Sequence, residues 1–192
     1  MGREFELKYR ATEEILSAVE AHYGGFTPIS METTYFDTPD GALAARHITL
    51  RRRLENGLSV CTVKTPLPDG SRGEWELHWP DPMTMVARLC QAGAPAELLT
   101  WTESGIEPVC GARFTRLAKV VEADGCTVEL ALDRGVLMGG GREIPLCELE
   151  VEGKAGDDAA AVAFARALAA QFGLQPEQDS KFRRAQRLAK GE

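Results

Sequence analysis

The sequence predicts an α+β fold in which about eight mostly antiparallel strands are covered by several helices. Charged and apolar residues alternate strictly in several short segments, beginning with Glu4 to Arg10, and this period of two is typical of a half-buried strand. Turn sequences such as Asn56-Gly57 separate consecutive segments, as in antiparallel hairpins. Between these segments, apolar residues recur at intervals of three and four, which indicates helices.

In the first half of the chain, a helix follows the opening strand. Thr12 is a suitable N-cap for this helix, and Gly24 is a suitable residue to end it. Further along, the pattern predicts strands at 33–38, 47–55, 58–65 and 74–79, with a short helical turn at 43–46.

The second half begins with two short predicted helices, at 82–92 and 95–102. We expect residues 1–192 to form one domain, because this helical segment is too short to be a domain of its own. The remaining predicted elements are strands at 108–123, 126–138 and 142–153 and helices at 157–173 and 180–190.

The charged faces of the strands allow two architectures. Nearly every strand carries apolar residues on one face, which helices can cover, and charged residues on the other. The charged side can form one open, solvated face. Alternatively, the sheet can close on itself with the charges inside and the helices outside. Residue spacing alone does not choose between them.

The composition excludes several functional classes. The net charge is −7, from 22 basic and 29 acidic residues, which argues against binding nucleic acid or a membrane surface by bulk attraction. No segment resembles a targeting sequence or a membrane span. The five cysteines include no C-x-x-C pair, so we expect reduced thiols in a cytoplasmic protein.

Carboxylates occupy every second position of two predicted strands. Glu4 and Glu6 lie in the first strand, and Glu148, Glu150 and Glu152 lie in a late one. Carboxylate oxygens are the ligands that Mg²⁺ and Mn²⁺ prefer, and grouped carboxylates repel one another unless a cation neutralises them. The alternative interpretation is two acidic strands that face solvent.

Basic residues form a second set, in which arginine offers forked donors that suit phosphate oxygens and lysine offers a compact charge. Taken singly, each is more often a solvated residue paired with an acid. Together, metal-binding acids and phosphate-binding bases describe a site for a polyphosphate–metal complex. The set consists of Arg51, Arg53, Lys64, Arg113, Arg116, Lys181 and Arg184.

The segments resemble a known family, the CYTH superfamily or triphosphate tunnel metalloenzymes. Glu4-Phe5-Glu6-Leu7-Lys8 is similar to the family's Glu-x-Glu-x-Lys signature, and matching blocks follow in the family's order over essentially the whole chain. Among its members, the chain looks most like the bacterial inorganic triphosphatases. The later blocks are Tyr35–Pro39, Leu50–Arg53, Thr62–Lys64, Glu74–Glu76, Phe114–Arg116, Glu129–Gly135, Cys147–Glu152 and Ser180–Ala185.

The resemblance implies an eight-stranded antiparallel barrel, closed into a tunnel with the charged faces inward and the helices packed outside. Arg52 departs from the family pattern, which commonly has an apolar residue there, and we expect Arg52 to point outward. Arg113 has the wrong parity relative to Arg116 and is left out of the expected site.

The resemblance also implies roles for individual residues. Glu4, Glu6, Lys8 and Lys181 are expected to be catalytic. Metal binding is expected from Glu4, Glu6, Asp133, Glu148, Glu150 and Glu152, and triphosphate binding from Lys8, Arg51, Arg53, Lys64, Arg116, Lys181 and Arg184. Glu74, Glu76 and Glu129 are expected to contact the ligand-binding residues without binding metal or phosphate themselves.

The function implied by the resemblance is hydrolysis of inorganic triphosphate to pyrophosphate and phosphate with Mg²⁺ or Mn²⁺. Three alternatives stay open: an adenylate cyclase of the CYTH type, a thiamine triphosphatase, and a polyphosphate-binding module without turnover. The presence of both Glu4/Glu6 and Glu148/Glu150 favours an enzyme, because a binding module does not need these carboxylates.

The expected partner is therefore inorganic triphosphate or another triphosphate. Dimers occur in the family, which leaves a homodimer open. The bacterial triphosphatases that the chain resembles often carry a helical CHAD domain after the CYTH domain. Such a domain would begin where this sequence stops, so the expectation is either a stand-alone CYTH protein or a piece of a longer one.

Overall fold

The computed structural model describes residues 6–67 and 72–192. Glu4, one of the predicted metal ligands, lies outside the described residues. In the first half, Thr12 caps the first helix as predicted, since its hydroxyl accepts a hydrogen bond from the amide of Ile15. The elements are β1 (Glu6–Arg10), α1 (Glu13–Tyr23), β2 (Thr27–Asp37), β3 (Thr49–Glu55), β4 (Leu58–Pro66) and β5 (Arg72–His78), with a 3₁₀ turn at Ala44–Arg46.

The second half continues with short helices, a three-stranded meander and two longer helices. Asp157 and Ser180 cap the last two helices through their side chains. No helix in the described ranges is long and apolar enough to cross a membrane. The elements are α2 (Met85–Gln91), α3 (Glu97–Trp101), β6 (Glu107–Ala123), β7 (Cys126–Gly139), β8 (Arg142–Gly156), α4 (Asp158–Phe172), β9 (Gln175–Pro176) and α5 (Lys181–Lys190).

The strands form one antiparallel sheet of nine strands in the order β5-β4-β3-β2-β6-β7-β8-β1-β9. The α+β class and the antiparallel topology are confirmed, but the expected closed, eight-stranded barrel is not. Within residues 6–67 and 72–192, no ladder joins β5 to the other end of the sheet. β9 pairs with β1 at Tyr9 and Arg10 and takes the edge at which a closing strand would have to pair. A two-residue strand carries no alternation, so the sequence pattern did not predict it.

Two apolar cores lie on the face of the sheet opposite the charges. In one, Leu16 and Val19 of α1 and Leu168 of α4 pack on the outward side chains of β7 and β8, such as Leu130 and Leu149. In the other, α2 and α3 cover β3 and β4. These cores fix the strand register, because a shift by one residue would turn the apolar side chains to the charged face.

The last helix departs from the expectation that all helices pack outside. α5 lies against the charged face, where Ala185 packs in a third apolar cluster with Phe114 and Leu137. The close approach requires a glycine on β7, since a Cβ on Gly139 would lie 2.5 Å from the carbonyl oxygen of Ala185. The helix thereby carries Lys181 onto the charged face.

A buried carboxylate organises the loop between β2 and β3. One oxygen of Asp37 accepts hydrogen bonds from the amides of Thr38 (2.8 Å) and Leu43 (2.9 Å), and the other accepts one from the amide of Ala44 (3.1 Å). The side chain therefore satisfies three backbone donors and holds the 3₁₀ turn against the sheet.

We expect Asp37→Ala to lower the free energy of unfolding by about 2 kcal/mol or more, because it leaves buried amides without an acceptor. Asp40→Ala is the matched control in the same turn, since Asp40 is exposed and accepts from the hydroxyl of Thr38. This control should cost less than about 1 kcal/mol. Urea unfolding of the three proteins measures both values, and equal losses would contradict the assigned role of Asp37.

Candidate functional site

The predicted acids line up in rows across β1, β8 and β7. Directly paired residues in an antiparallel sheet project to the same face. Glu148 pairs with Arg10 on one side and with Asp133 on the other, and Asp133 pairs with Arg116 of β6. The next rows contain Lys8 with Glu150, and Glu6 with Glu152 and Glu129. The alternation read from the sequence therefore does bring these side chains to one face.

A buried ionic cluster forms where α5 meets this face. The Lys181 ammonium lies 2.8 Å from Asp133 and also contacts Glu148 and Glu150. Arg116 binds both oxygens of Asp133 at 2.8 Å and also reaches Glu150. Arg184 pairs with Glu148. We call this group the acid cluster, which consists of Asp133, Glu148 and Glu150 with the cations Arg116, Lys181 and Arg184.

The carboxylates of the acid cluster differ in their electrostatics. Burial raises the pKa of Glu148, and Lys181 offsets only part of this effect. Burial also disfavours the ionised form of Glu150, but Lys181 and Arg116 outweigh it and hold its pKa well below the usual range. Burial works against the charged form of Lys181 as well, yet Asp133 and the two glutamates raise its pKa, so it stays an ammonium.

A second group, the basic cluster, lies on β3 and β4 and consists of Arg51, Arg53 and Lys64. Acids on β5 hold these cations: Lys64 lies 3.2 Å from Glu74, and Arg51 lies 3.9 Å from the same carboxylate. Arg53 contacts Glu55 and approaches Glu76 to 4.0 Å. The expectation that Glu74 and Glu76 support the bases agrees with these contacts.

Three arginines, two in the basic cluster and one in the acid cluster, have donors that the nearby acids leave unused. The buried Nε atoms of Arg51, Arg53 and Arg184 have no hydrogen-bond acceptor among the residues that the structure describes. Burial and the nearby charge of Arg51 lower the pKa of Arg53. A buried donor without an acceptor is costly, and repulsion between neighbouring guanidinium groups adds to this cost. An anionic ligand would relieve both.

The buried side chain of Tyr35 lies between the two clusters. Burial raises its pKa, and the charges of both Arg51 and Lys181 act on it in the opposite direction. The basic and acid clusters therefore share one face of the sheet, with Tyr35 and Phe182 of α5 in contact between them at a ring distance of 5.0 Å.

Other predicted residues lie on the same face outside the two clusters. Glu152 pairs with Lys154 at 2.9 Å, and Lys154 also lies 3.5 Å from Glu129. Glu6 and Lys8 help to line a cavity of about 700 Å³ between β1, β9 and α4. None of the acid-cluster residues lines this cavity.

The two parity predictions agree with the structure. Arg52 points away from the charged face and donates to the hydroxyl of Ser59 at 3.0 Å. Arg113 is exposed and pairs with Glu143 rather than with any predicted site residue.

Lys154 and Glu177 are among the residues of this region that were not predicted as site residues. Lys154 continues the alternation of β8 through 148, 150 and 152, so a longer segment would have included it. Glu177 lies in an irregular segment without any pattern, yet its largely buried carboxylate lies 3.4 Å from Arg10 and 3.6 Å from Arg184.

The acid cluster has the donor chemistry of a divalent-cation site. Asp133, Glu148 and Glu150 each offer an oxygen, and these oxygens lie within 4.8 Å of one another. Oxygen donors of this kind suit hard cations such as Mg²⁺ and Mn²⁺. The carboxylates present therefore fit a metal ion, provided that the cations that now contact them give way.

Comparisons with known proteins show which family and which proteins the chain resembles. A model of the CYTH domain family matches residues 2–185. An inorganic triphosphatase from Haemophilus influenzae is 30% identical in an alignment 166 positions long, which covers 82% of this chain and 47% of that protein. The chain thus spans about half the length of this curated relative.

Similar solved structures support the fold. A putative adenylyl cyclase from Hippeastrum, described as having a dominant triphosphatase activity, has a TM-score of 0.68 at 18% identity and covers 98% of this chain and 96% of its own. A putative adenylate cyclase from Bacillus halodurans has a TM-score of 0.64 at 22% identity, with coverage of 94% and 96%. At these identities the likeness concerns the fold alone.

We expect Glu150→Gln to lower the free energy of unfolding at pH 7 by about 3 kcal/mol, because it removes one charged partner from each of the buried cations Arg116 and Lys181. Glu148→Gln should cost less, since burial already disfavours the ionised form of Glu148. Urea unfolding in the presence of EDTA measures both. Equal losses at pH 7 would contradict the electrostatic difference between the two carboxylates.

The same pair of variants gives a pH dependence. The pKa of Glu150 is lower in the folded than in the unfolded chain. Its stabilisation of the fold is therefore fully present above the unfolded-state pKa of about 4.3 and is lost as the pH falls through the folded-state pKa. Glu148 behaves in the opposite way, because its pKa is raised in the folded chain. Ionised Glu148 therefore lowers the free energy of unfolding at neutral pH, and this destabilisation disappears as the pH falls and the carboxylate becomes protonated. The difference between the free energies of unfolding of Glu150→Gln and Glu148→Gln should therefore become smaller below about pH 4.

Proposed function

This chain belongs to the CYTH domain family, and we propose that it hydrolyses inorganic triphosphate to pyrophosphate and phosphate with the help of Mg²⁺ or Mn²⁺. The proposed unit is the single domain of residues 1–192. The Haemophilus influenzae relative, which bears the name inorganic triphosphatase, supports this choice of substrate.

The observation that carries the proposal is the set of buried guanidinium donors without acceptors. The Nε atoms of Arg51, Arg53 and Arg184 belong to side chains that already pair with acids, so the remaining donors favour a further anion. Phosphate oxygens match the forked geometry of arginine. A linear triphosphate has enough oxygens to reach donors on several strands.

The proposed roles follow the two clusters. The cations bind the chain of phosphates and the carboxylates hold the divalent ion, while Glu74, Glu76 and Glu129 orient the bases next to them. The proposed triphosphate ligands are Lys8, Arg51, Arg53, Lys64, Arg116, Lys181 and Arg184, and the proposed metal ligands are Glu4, Glu6, Asp133, Glu148, Glu150 and Glu152.

The chain's own contribution to the reaction is positioning and charge. Arg51 and Arg53 project from one strand and Lys64 from its neighbour, so they hold the phosphates in a fixed register. Their charges, together with Arg116, offset the negative charge that develops on the transferred phosphoryl group. The divalent cation, when bound, supplies further positive charge and activates the attacking water.

The direct test is phosphate release from inorganic triphosphate, ATP and thiamine triphosphate, each with Mg²⁺, Mn²⁺ or EDTA. We expect release that depends on metal and is fastest on inorganic triphosphate. Faster release from thiamine triphosphate, or formation of cyclic AMP from ATP, would replace the proposed substrate. Tight triphosphate binding without turnover would show that the chain is a binding module rather than an enzyme.

Arg53→Ala should lower kcat/KM for inorganic triphosphate about 10- to 100-fold, which corresponds to the loss of one or two charge-assisted hydrogen bonds. Arg52→Ala is the matched control, because Arg52 is the adjacent arginine on the opposite face. The control should stay within about twofold of the unmodified protein. Similar losses in both variants would reject the assignment of the charged face as the site.

A further inference from the structure

The ammonium of Lys181 lies at the position where a cation would meet the three carboxylates of the acid cluster. It contacts one oxygen from each of Asp133, Glu148 and Glu150. These are the residues whose oxygens converge closely enough to hold a metal ion. The three protons of the ammonium match the three contacts, so Lys181 has the coordination that a small cation would otherwise complete.

The other oxygens of these carboxylates are also in use. Arg116 binds the second oxygen of Asp133 and that of Glu150, and Arg184 binds the second oxygen of Glu148. All six oxygens therefore already accept from a cation. A divalent ion that joined them with Lys181 still in place would lie within a few ångströms of an ammonium in a poorly solvated setting, where repulsion is strong.

Lys181 can leave the acid cluster more readily than Arg116. Arg116 is anchored in the middle of β6 and binds Asp133 with a two-pronged geometry, which fixes its orientation. Lys181 is the first residue of α5 and carries its charge on an unbranched, flexible stem. Rotation about the bonds of that stem frees one oxygen of Glu148 and one of Glu150, and leaves the Asp133 oxygen with Arg116 alone. The helix stays where Ala185 holds it.

We propose that Lys181 is a displaceable counter-ion of the metal site: it neutralises Asp133, Glu148 and Glu150 in the metal-free protein, and a divalent cation expels it toward the bound phosphates. This inference rests on the metal dependence in the proposed function. It couples the two ligands, because metal binding frees an ammonium that then becomes available to triphosphate.

The coupling explains why a basic residue sits in an acidic site. Without Lys181 the metal-free cluster would hold three buried carboxylates against the two arginines Arg116 and Arg184. The lysine removes that imbalance, and it does so at the expense of metal affinity, since each incoming cation must first displace it. Binding of triphosphate offsets this loss of metal affinity, because the phosphates bind the expelled ammonium.

The test compares Mn²⁺ binding to the unmodified protein and to Lys181→Met by calorimetry, with no triphosphate present. We expect the variant to bind Mn²⁺ about tenfold more tightly or better, since the competing charge is gone. Lys190→Met is the matched control, because Lys190 is an exposed lysine at the other end of the same helix. Affinity in Lys181→Met that is unchanged or weaker would overturn the inference.

A second measurement uses the unmodified protein, so that it does not depend on the folding of a variant. Amine acetylation followed by mass spectrometry should show Lys181 poorly labelled without metal, because its side chain is only 9% exposed and is held by three carboxylates. Mn²⁺ should raise its labelling several-fold while that of Lys190 stays constant. Labelling of Lys181 that does not rise with Mn²⁺ would contradict displacement.

Neither measurement depends on turnover. A protein that hydrolyses triphosphate but shows no Lys181 effect keeps the proposed function and loses this inference. A protein that shows the Lys181 effect but hydrolyses none of the triphosphates keeps the inference and loses the activity.

Discussion

The contact of the Lys181 ammonium with Asp133, Glu148 and Glu150 connects the parts of this molecule that the backbone keeps separate. Buried carboxylates on neighbouring strands repel one another, and they persist together because cations from β6 and α5 reach them. The same contact holds α5 against the charged face, where Ala185 and Phe182 add apolar packing. Loss of one partner therefore affects electrostatics, helix docking and the site at once.

The charged face has an acid-rich side and a base-rich side, and each side also carries charges of the opposite sign. β8 and β7 present the carboxylates, β3 and β4 present Arg51, Arg53 and Lys64, and Tyr35 lies between the two groups. Each group is partly neutralised from within, by Lys181 on one side and Glu74 on the other. The charges of each group are therefore partly balanced within the chain, while unused donors such as the Nε atoms of Arg51 and Arg53 remain on the basic side.

Most elements were predictable because their signals are local. The Asn56-Gly57 turn adopts the positive φ angles that a tight hairpin requires, and Thr12 and Gly24 bound α1 as their chemistry predicts. β9 and the placement of α5 were not predictable. Residues 175–176 are too few to show a period, and the docking of α5 depends on Gly139, which is remote in sequence. The ion pairs of Glu177 likewise arise only when β1 and α5 meet.

The sequence by itself determined which side chains share a face, because the period of a strand is two and the apolar cores forbid a shift of register. It thereby determined that Glu148, Glu150 and Asp133 lie together and that Arg52 points away. Only the tertiary structure decided that the sheet stays open among the described residues and that Lys181 occupies the centre of the acids. Those features depend on contacts between segments far apart in the chain, and no local pattern encodes them.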